Sequence, residues 1–83
     1  MSRPYTIEEL ALNSNLAVTT LSSHLVEFAT IVSRIQIAAK NGHEVSHLLP
    51  SLDRNIDIFV SDYMSCRQWT DQLTRTMKEQ PDV

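Results

Sequence analysis

The chain has 83 residues, with seven basic and ten acidic side chains and a formal net charge of −3. It is long enough for one domain, and its single cysteine excludes an internal disulfide. Because Lys and Arg are not clustered, we expect no nucleic-acid partner. No apolar run reaches the roughly 18 residues of a membrane span, and the N-terminus has no secretory apolar segment. We therefore expect a cytoplasmic protein without membrane insertion.

The N-terminal region is predicted to contain a flexible arm, residues 1–5, and a short helix over residues 6–12. Thr6, followed three residues later by Glu9, fits a capping box at the start of this helix. Asn13-Ser14-Asn15 is predicted to end it, because Asn and Ser side chains compete for backbone hydrogen bonds and favour turns.

Two long helices are predicted over residues 17–40 and 51–79, followed by a frayed tail over residues 80–83. Asn41-Gly42 marks the end of the first, since Gly is suited to the left-handed residue after a helix. Pro50 is tolerated only in the first turn of the second. The sequence therefore predicts an all-α fold, with a short N-terminal helix and an antiparallel hairpin of two long helices.

Both long helices carry an apolar seam whose members alternate in spacing between three and four residues, which places each seam along one side of its helix. The residues predicted to form a core or dimer seam are Leu21, Leu25, Phe28, Val32, Ile35, Leu52, Ile56, Phe59 and Leu73. A core this small rarely supplies more than about 3–5 kcal/mol, so we expect a partner chain to complete it. The simplest partner is a second copy, which gives a dimeric four-helix bundle.

His43-Glu44-Val45-Ser46-His47 matches H-E-x-x-H and resembles the zincin metalloprotease signature. The resemblance implies that His43 and His47 bind Zn²⁺ and that Glu44 acts as general base. That chemistry places the motif on a helix, whereas Gly42 precedes it and Pro50 closely follows. We therefore favour a polar loop between the long helices and expect no cofactor, with the two histidines as the candidate metal ligands.

Residues 7–25 resemble a bacterial helix-turn-helix. The resemblance implies that Ala11 packs between two helices, that Asn15 takes the turn position, and that residues 20–25 lie on a recognition helix in the DNA major groove. The recognition segment contains no Lys or Arg to contact phosphates. The other interpretation, that Leu21 and Leu25 belong to the core of a helical bundle, is therefore favoured.

The function that the sequence favours is a small non-enzymatic regulator, adaptor or inhibitor that acts by helix-mediated protein–protein binding, for example by blocking a DNA-binding or enzymatic partner. Trp69 and Arg67 are of the residue types enriched at binding hot spots, and we predict that they contact the partner together with Asp62 and Tyr63. The acidic surplus favours a partner with a basic groove, and the apolar seams favour one with an apolar groove. The alternatives are a helix-turn-helix transcriptional regulator and a zinc-binding protein or peptidase.

Overall fold

The computed structural model describes residues 4–79, which form two long antiparallel helices joined by a short connector. Helix α1 spans Ile7–Lys40, a 3₁₀ turn spans Ser46–Leu48, and helix α2 spans Leu49–Glu79. The hairpin is elongated, with extents of 60 × 27 × 15 Å. The all-α class and the helical hairpin predicted from the sequence are confirmed.

The two predicted flexible ends fall largely on residues 1–3 and 80–83, which lie outside the described residues. Tyr5, also within the predicted arm, is described and contacts α2. Its ring meets the Trp69 ring edge-on, with centroids 5.3 Å apart and planes 79° apart. The aromatic pair therefore holds the segment before α1 against α2.

Helix α1 begins with the capping box that the sequence predicts. The Thr6 hydroxyl accepts the backbone N–H of Glu9 at 3.1 Å, and the Glu9 carboxylate accepts the backbone N–H of Thr6 at 2.9 Å. Two N–H groups that have no partner within the helix are satisfied in this way.

The predicted break at Asn13-Ser14-Asn15 is wrong. The segments predicted as a short helix over residues 6–12 and a long helix over residues 17–40 form one uninterrupted helix, Ile7–Lys40. The first helix is therefore 34 residues long, and no turn separates its N-terminal part from the hairpin.

Packing against α2 explains why the helix continues through these polar residues. Ser14 is 6% exposed and faces α2 between Leu10, which is 2% exposed, and the half-buried Ala17. Asn and Ser each cost a helix interior only about 0.5 kcal/mol relative to Ala. Burying a leucine such as Leu10 gains roughly 2 kcal/mol, so tertiary packing outweighs local propensity.

Helix α1 ends as predicted, with Gly42 in a left-handed conformation at φ 71°. The Gly42 N–H donates to the Ala39 carbonyl at 3.1 Å, and the His43 N–H donates to the Ala38 carbonyl at 2.8 Å. These two bonds define a Schellman motif. Helix α2 begins two residues before its predicted start, with Pro50 inside its first turn, where a missing N–H costs nothing.

Candidate interaction surface

The two helices pack together through one row of buried or half-buried side chains on each, which we call the inner rows. The α1 inner row comprises Ile7, Leu10, Ser14, Ala17, Leu21, His24, Phe28, Ile31, Ile35 and Ala38. The α2 inner row comprises Leu52, Asn55, Phe59, Asp62, Cys66, Trp69, Leu73 and Thr76. Members of each row alternate in spacing between three and four residues, as expected for antiparallel helices packed along their length.

Aromatic rings form the centre of the contact between the inner rows. The Phe28 and Phe59 rings lie 6.0 Å apart between centroids, at an interplanar angle of 65°. Phe59 also stacks on Tyr63, with centroids 6.2 Å apart and planes 29° apart. Such aromatic pairs contribute about 0.5–1.5 kcal/mol each beyond their burial.

A polar pair lies beside the aromatic cluster, in a position where an apolar contact would be usual. The Nδ1 atom of His24 and an Oδ atom of Asp62 are 2.5 Å apart, and the Asp62 side chain is only 15% exposed. A carboxylate with so little exposure needs a hydrogen-bond partner, because leaving it unpaired costs its desolvation energy. Since the two residues belong to different helices, the pair fixes the register between them.

Because this pair is partly sheltered from water, we predict a measurable coupling between its members. A double-mutant cycle with His24→Ala and Asp62→Ala, measured by urea unfolding at one chain concentration, should give a coupling free energy of about 1 kcal/mol. The control is the Arg67–Asp71 ion pair, whose atoms are 3.6 Å apart and whose side chains are both more than half exposed. Exposed pairs contribute roughly 0.3–0.5 kcal/mol, so equal couplings in the two cycles would contradict the prediction.

The seam predicted from the sequence is divided between the inside and the outside of the hairpin. Six of its residues lie in the inner rows: Leu21, Phe28, Ile35, Leu52, Phe59 and Leu73. The other three are exposed, at 41% for Leu25, 48% for Val32 and 40% for Ile56. One third of the predicted seam is therefore available to another chain.

A second row of side chains, which we call a stripe, runs along the outside of each helix. Except for Leu49, which precedes the α2 inner row, each member comes one position after an inner-row residue. The α1 stripe comprises Ala11, Asn15, Val18, Ser22, Leu25, Ala29, Val32, Gln36 and Ala39, all of them exposed. The α2 stripe comprises Leu49, Asp53, Ile56, Val60, Tyr63, Arg67, Thr70, Thr74 and Met77, of which only Thr70 is half-buried. The α1 stripe has no charged residue.

Both stripes lie on the same side of the hairpin. In antiparallel helices, positions displaced in the same direction from the row between the helices emerge on the same side of the pair. Thr20 and Ser65 each come one position before an inner-row residue, and they line one groove together, which is consistent with this geometry. We call the side that carries both stripes the apolar face.

Few apolar side chains of the hairpin are fully buried. Among residues 4–79, Leu10 and Cys66 are the only apolar residues classed as buried. The accessible surface is 6572 Å². A folded monomer of 9.4 kDa is expected to expose about 5,000 Å². The excess of roughly 1,600 Å² is about twice the area that one partner contributes to a standard protein interface.

The four predicted partner-binding residues do not lie in one patch. Tyr63 and Arg67 are exposed on the apolar face. Asp62 and Trp69 line the groove on the opposite side, where the exposed side chain of Leu16 accompanies them. The sequence places these four residues close together along α2, but the helix turns them toward two different surfaces.

The H-E-x-x-H motif does not lie on the helix that the zincin resemblance implies. Residues 43–45 form an irregular connector, and the 3₁₀ turn that contains His47 begins at Ser46. The zincin motif relies on a helical turn to bring two histidines four residues apart to one face, and the connector lacks that turn. Within residues 4–79, no group of three or more His, Cys, Asp or Glu side chains could hold a metal ion.

The helix-turn-helix resemblance also lacks its expected geometry. Residues 7–25 belong to one continuous helix, with no turn at Asn15. A recognition helix must cross a preceding helix at a large angle to enter the major groove, and a straight segment cannot provide this arrangement.

Helix α1 is long and apolar enough, by length and composition, to cross a membrane. Helices enclosed by protein neighbours meet the same criteria, so length and composition do not distinguish the two environments. The property agrees with the apolar surface that α1 exposes on the hairpin.

Comparison of the chain with protein-family models, curated protein sequences and solved structures finds no match.

Proposed function

We propose that the chain is a small, cytoplasmic, non-enzymatic regulator, adaptor or inhibitor that acts by helix-mediated protein–protein binding. Its hairpin pairs with a second copy to form a dimeric four-helix bundle. One observation carries the proposal: the large apolar side chains of both stripes, among them Leu25, Val32 and Ile56, are exposed, while Leu10 and Cys66 are the only buried apolar residues among residues 4–79. A grouping of exposed apolar side chains is typical of an interaction site, and a hairpin of this size needs another chain to supply its core.

The bundle also accounts for the polar members of the inner rows. When two hairpins stack through their apolar faces, each helix touches its hairpin partner and one helix of the other copy. Inner-row residues on the side of the stripes, such as Phe28 and Phe59, then lie at the centre of the bundle. His24 and Asp62 lie toward the opposite groove, where polar side chains remain near water.

Stacking through the apolar face leaves the opposite groove free, and we assign the contact with a target protein to this groove. Trp69 provides an aromatic anchor and Asp62 provides an acidic group. Leu16, at 57% exposure, extends the groove along α1. The expected target offers an apolar helix or loop with basic residues at its edge.

A pair of matched variants tests the assignment of the groove. Leu16 and Ile37 are both on α1 and both 57% exposed, but only Leu16 lines the groove. The immobilised chain should retain a specific protein from an extract of its source cells. Leu16→Ser should lose that protein, whereas Ile37→Ser should keep it, and both variants should have the parent mass.

If Leu16→Ser retained the same protein as Ile37→Ser, the groove would not be the target site. If the parent chain retained no specific protein, the regulator or adaptor function itself would be contradicted. Trp69→Phe offers a milder second variant, because it keeps an aromatic ring beside Tyr5 while removing the indole N–H.

A further inference from the structure

The α1 stripe has nearly the same chemistry when it is followed in either direction from its centre at Leu25. Counting outward from Leu25 along the stripe, the members on the two sides are, in order, Ser22 and Ala29, Val18 and Val32, Asn15 and Gln36, and Ala11 and Ala39. The members of each pair are close in size, and three of the four pairs also match in polarity: two valines, two carboxamides and two alanines. All nine residues are exposed on the hairpin.

This symmetry suits a contact between two identical antiparallel helices, because it places residues of similar size and chemistry opposite each other. In a two-fold symmetric interface, residue i of one copy meets residue j of the other, and residue j meets residue i. Antiparallel pairing of two α1 stripes would place Val18 against the partner's Val32 and Leu25 against the partner's Leu25. Asn15 would meet the partner's Gln36, and their amides can donate to and accept from each other.

The composition of the α1 stripe favours this close pairing. Ser22 and Ala29 flank Leu25, and small side chains allow helix axes to approach to the short end of the usual 8–10 Å range. Because the α1 stripe is uncharged, no charged group has to leave water when it is covered. A second copy of α1 offers a surface with the same two properties.

Helix α2 independently supports the position of the two-fold axis. The contacts of His24 with Asp62 and of Phe28 with Phe59 place Leu25 level with residues 61–62 of α2. The α2 stripe runs from Leu49 to Met77 and has Tyr63 at its centre, which is within about 3 Å of that level along the helix. One axis therefore passes near the centres of both stripes.

The same axis brings no like charges together on α2. Pairing α2 with its copy about Tyr63 would place Asp53 against the partner's Thr74 and Arg67 against the partner's Val60. The two charged residues of the α2 stripe thus meet uncharged residues. Both also lie nearer to the edge of the apolar face than Tyr63 does. Like charges directly opposite each other would have disfavoured this register.

We infer that the second copy docks with its α1 antiparallel to α1 of the first, about a two-fold axis that passes beside Leu25. The inference rests on the proposed dimer and adds its symmetry, its register and the helices in contact. The occupant is a second copy because the stripe is complementary to itself, and because the excess exposed surface exceeds what one side of a stable interface buries.

Thiol cross-linking tests the register in a Cys66→Ser background, which removes the buried native thiol. Leu25→Cys should cross-link to its own copy with a short bismaleimide. Val18→Cys alone should not, because the partner's Val18 would lie about four helical turns, or 21 Å, away. The double variant with Val18→Cys and Val32→Cys should cross-link, and Val26→Cys on the outward side should not.

The outcomes separate this inference from the dimer itself. If the Cys66→Ser protein had the mass of one chain, the dimer would be contradicted. If the Cys66→Ser protein had the mass of two chains but Leu25→Cys in it did not cross-link, the inferred register would be overturned and the dimer would remain supported. Efficient cross-linking of Val18→Cys alone would indicate parallel α1 helices and would also overturn it.

Discussion

Leu25→Glu should convert the dimer to single chains and reduce helix content. Leu25 lies at the inferred two-fold axis, so the substitution places two carboxylates against each other on an otherwise uncharged stripe. In the isolated hairpin the residue is 41% exposed, so the new charge can remain in water there. The new charge therefore destabilises the contact between copies and not the single hairpin, and light scattering should report the mass of one chain.

Val26→Glu is the matched control for this prediction. Val26 is the next residue on the same helix and is 69% exposed, but it lies outside the α1 stripe. The substitution adds the same charge at the same level of the helix and should leave the mass at two chains. If both variants had the same mass, the apolar face would not be the contact between copies.

Phe59→Ala should lower the free energy of unfolding by about 3 kcal/mol, the low end of the range for removing a packed phenylalanine. Its ring contacts both Phe28 and Tyr63, so the substitution removes two aromatic contacts and leaves a cavity between the helices. In the proposed bundle this residue lies at the centre, where neighbours cannot easily fill the space. Urea unfolding should be measured at one fixed chain concentration, because the stability of a dimer depends on concentration.

Ile37→Ala provides the comparison for Phe59→Ala. Ile37 is 57% exposed on the outward side of α1, and truncating it should cost less than about 0.5 kcal/mol, as for other surface substitutions. Similar losses for the two variants would show that Phe59 does not pack in a core.

Most of the architecture could be predicted from local sequence signals. The capping box at Thr6, the left-handed Gly42 and the position of Pro50 identify the helix ends by well-defined local chemistry. The break at Asn13-Ser14-Asn15 was predicted from propensity alone. The spacing of Leu10, Ser14 and Ala17 continues the inner row without interruption and was the available signal for a continuous helix.

The direction that each apolar row faces could not be predicted from hydrophobicity. In α1, Leu21 can form a row with His24 or with Leu25, because both lie at helical spacing from it. Hydrophobicity favours Leu25, but the hairpin places His24 inside, where it meets Asp62 from the other helix. That choice depends on the register between two helices and is not visible in either helix alone.

The predicted partner-binding set illustrates the same limitation. Asp62, Tyr63, Arg67 and Trp69 lie within eight residues of sequence, yet α2 turns two of them toward the apolar face and two toward the groove. Residue type identified plausible contact residues. Grouping them into a single site required the inner rows, which are known only once the helices are packed.

We propose that a second copy of the chain completes the core of the hairpin. The most direct test is the mass in solution by light scattering across a dilution series, with circular dichroism on the same samples. We predict twice the 9.4 kDa chain mass, with mass and helix content falling together as the chain is diluted. A mass of one chain with full helix content at every concentration would show that the hairpin is stable alone and would contradict the claim.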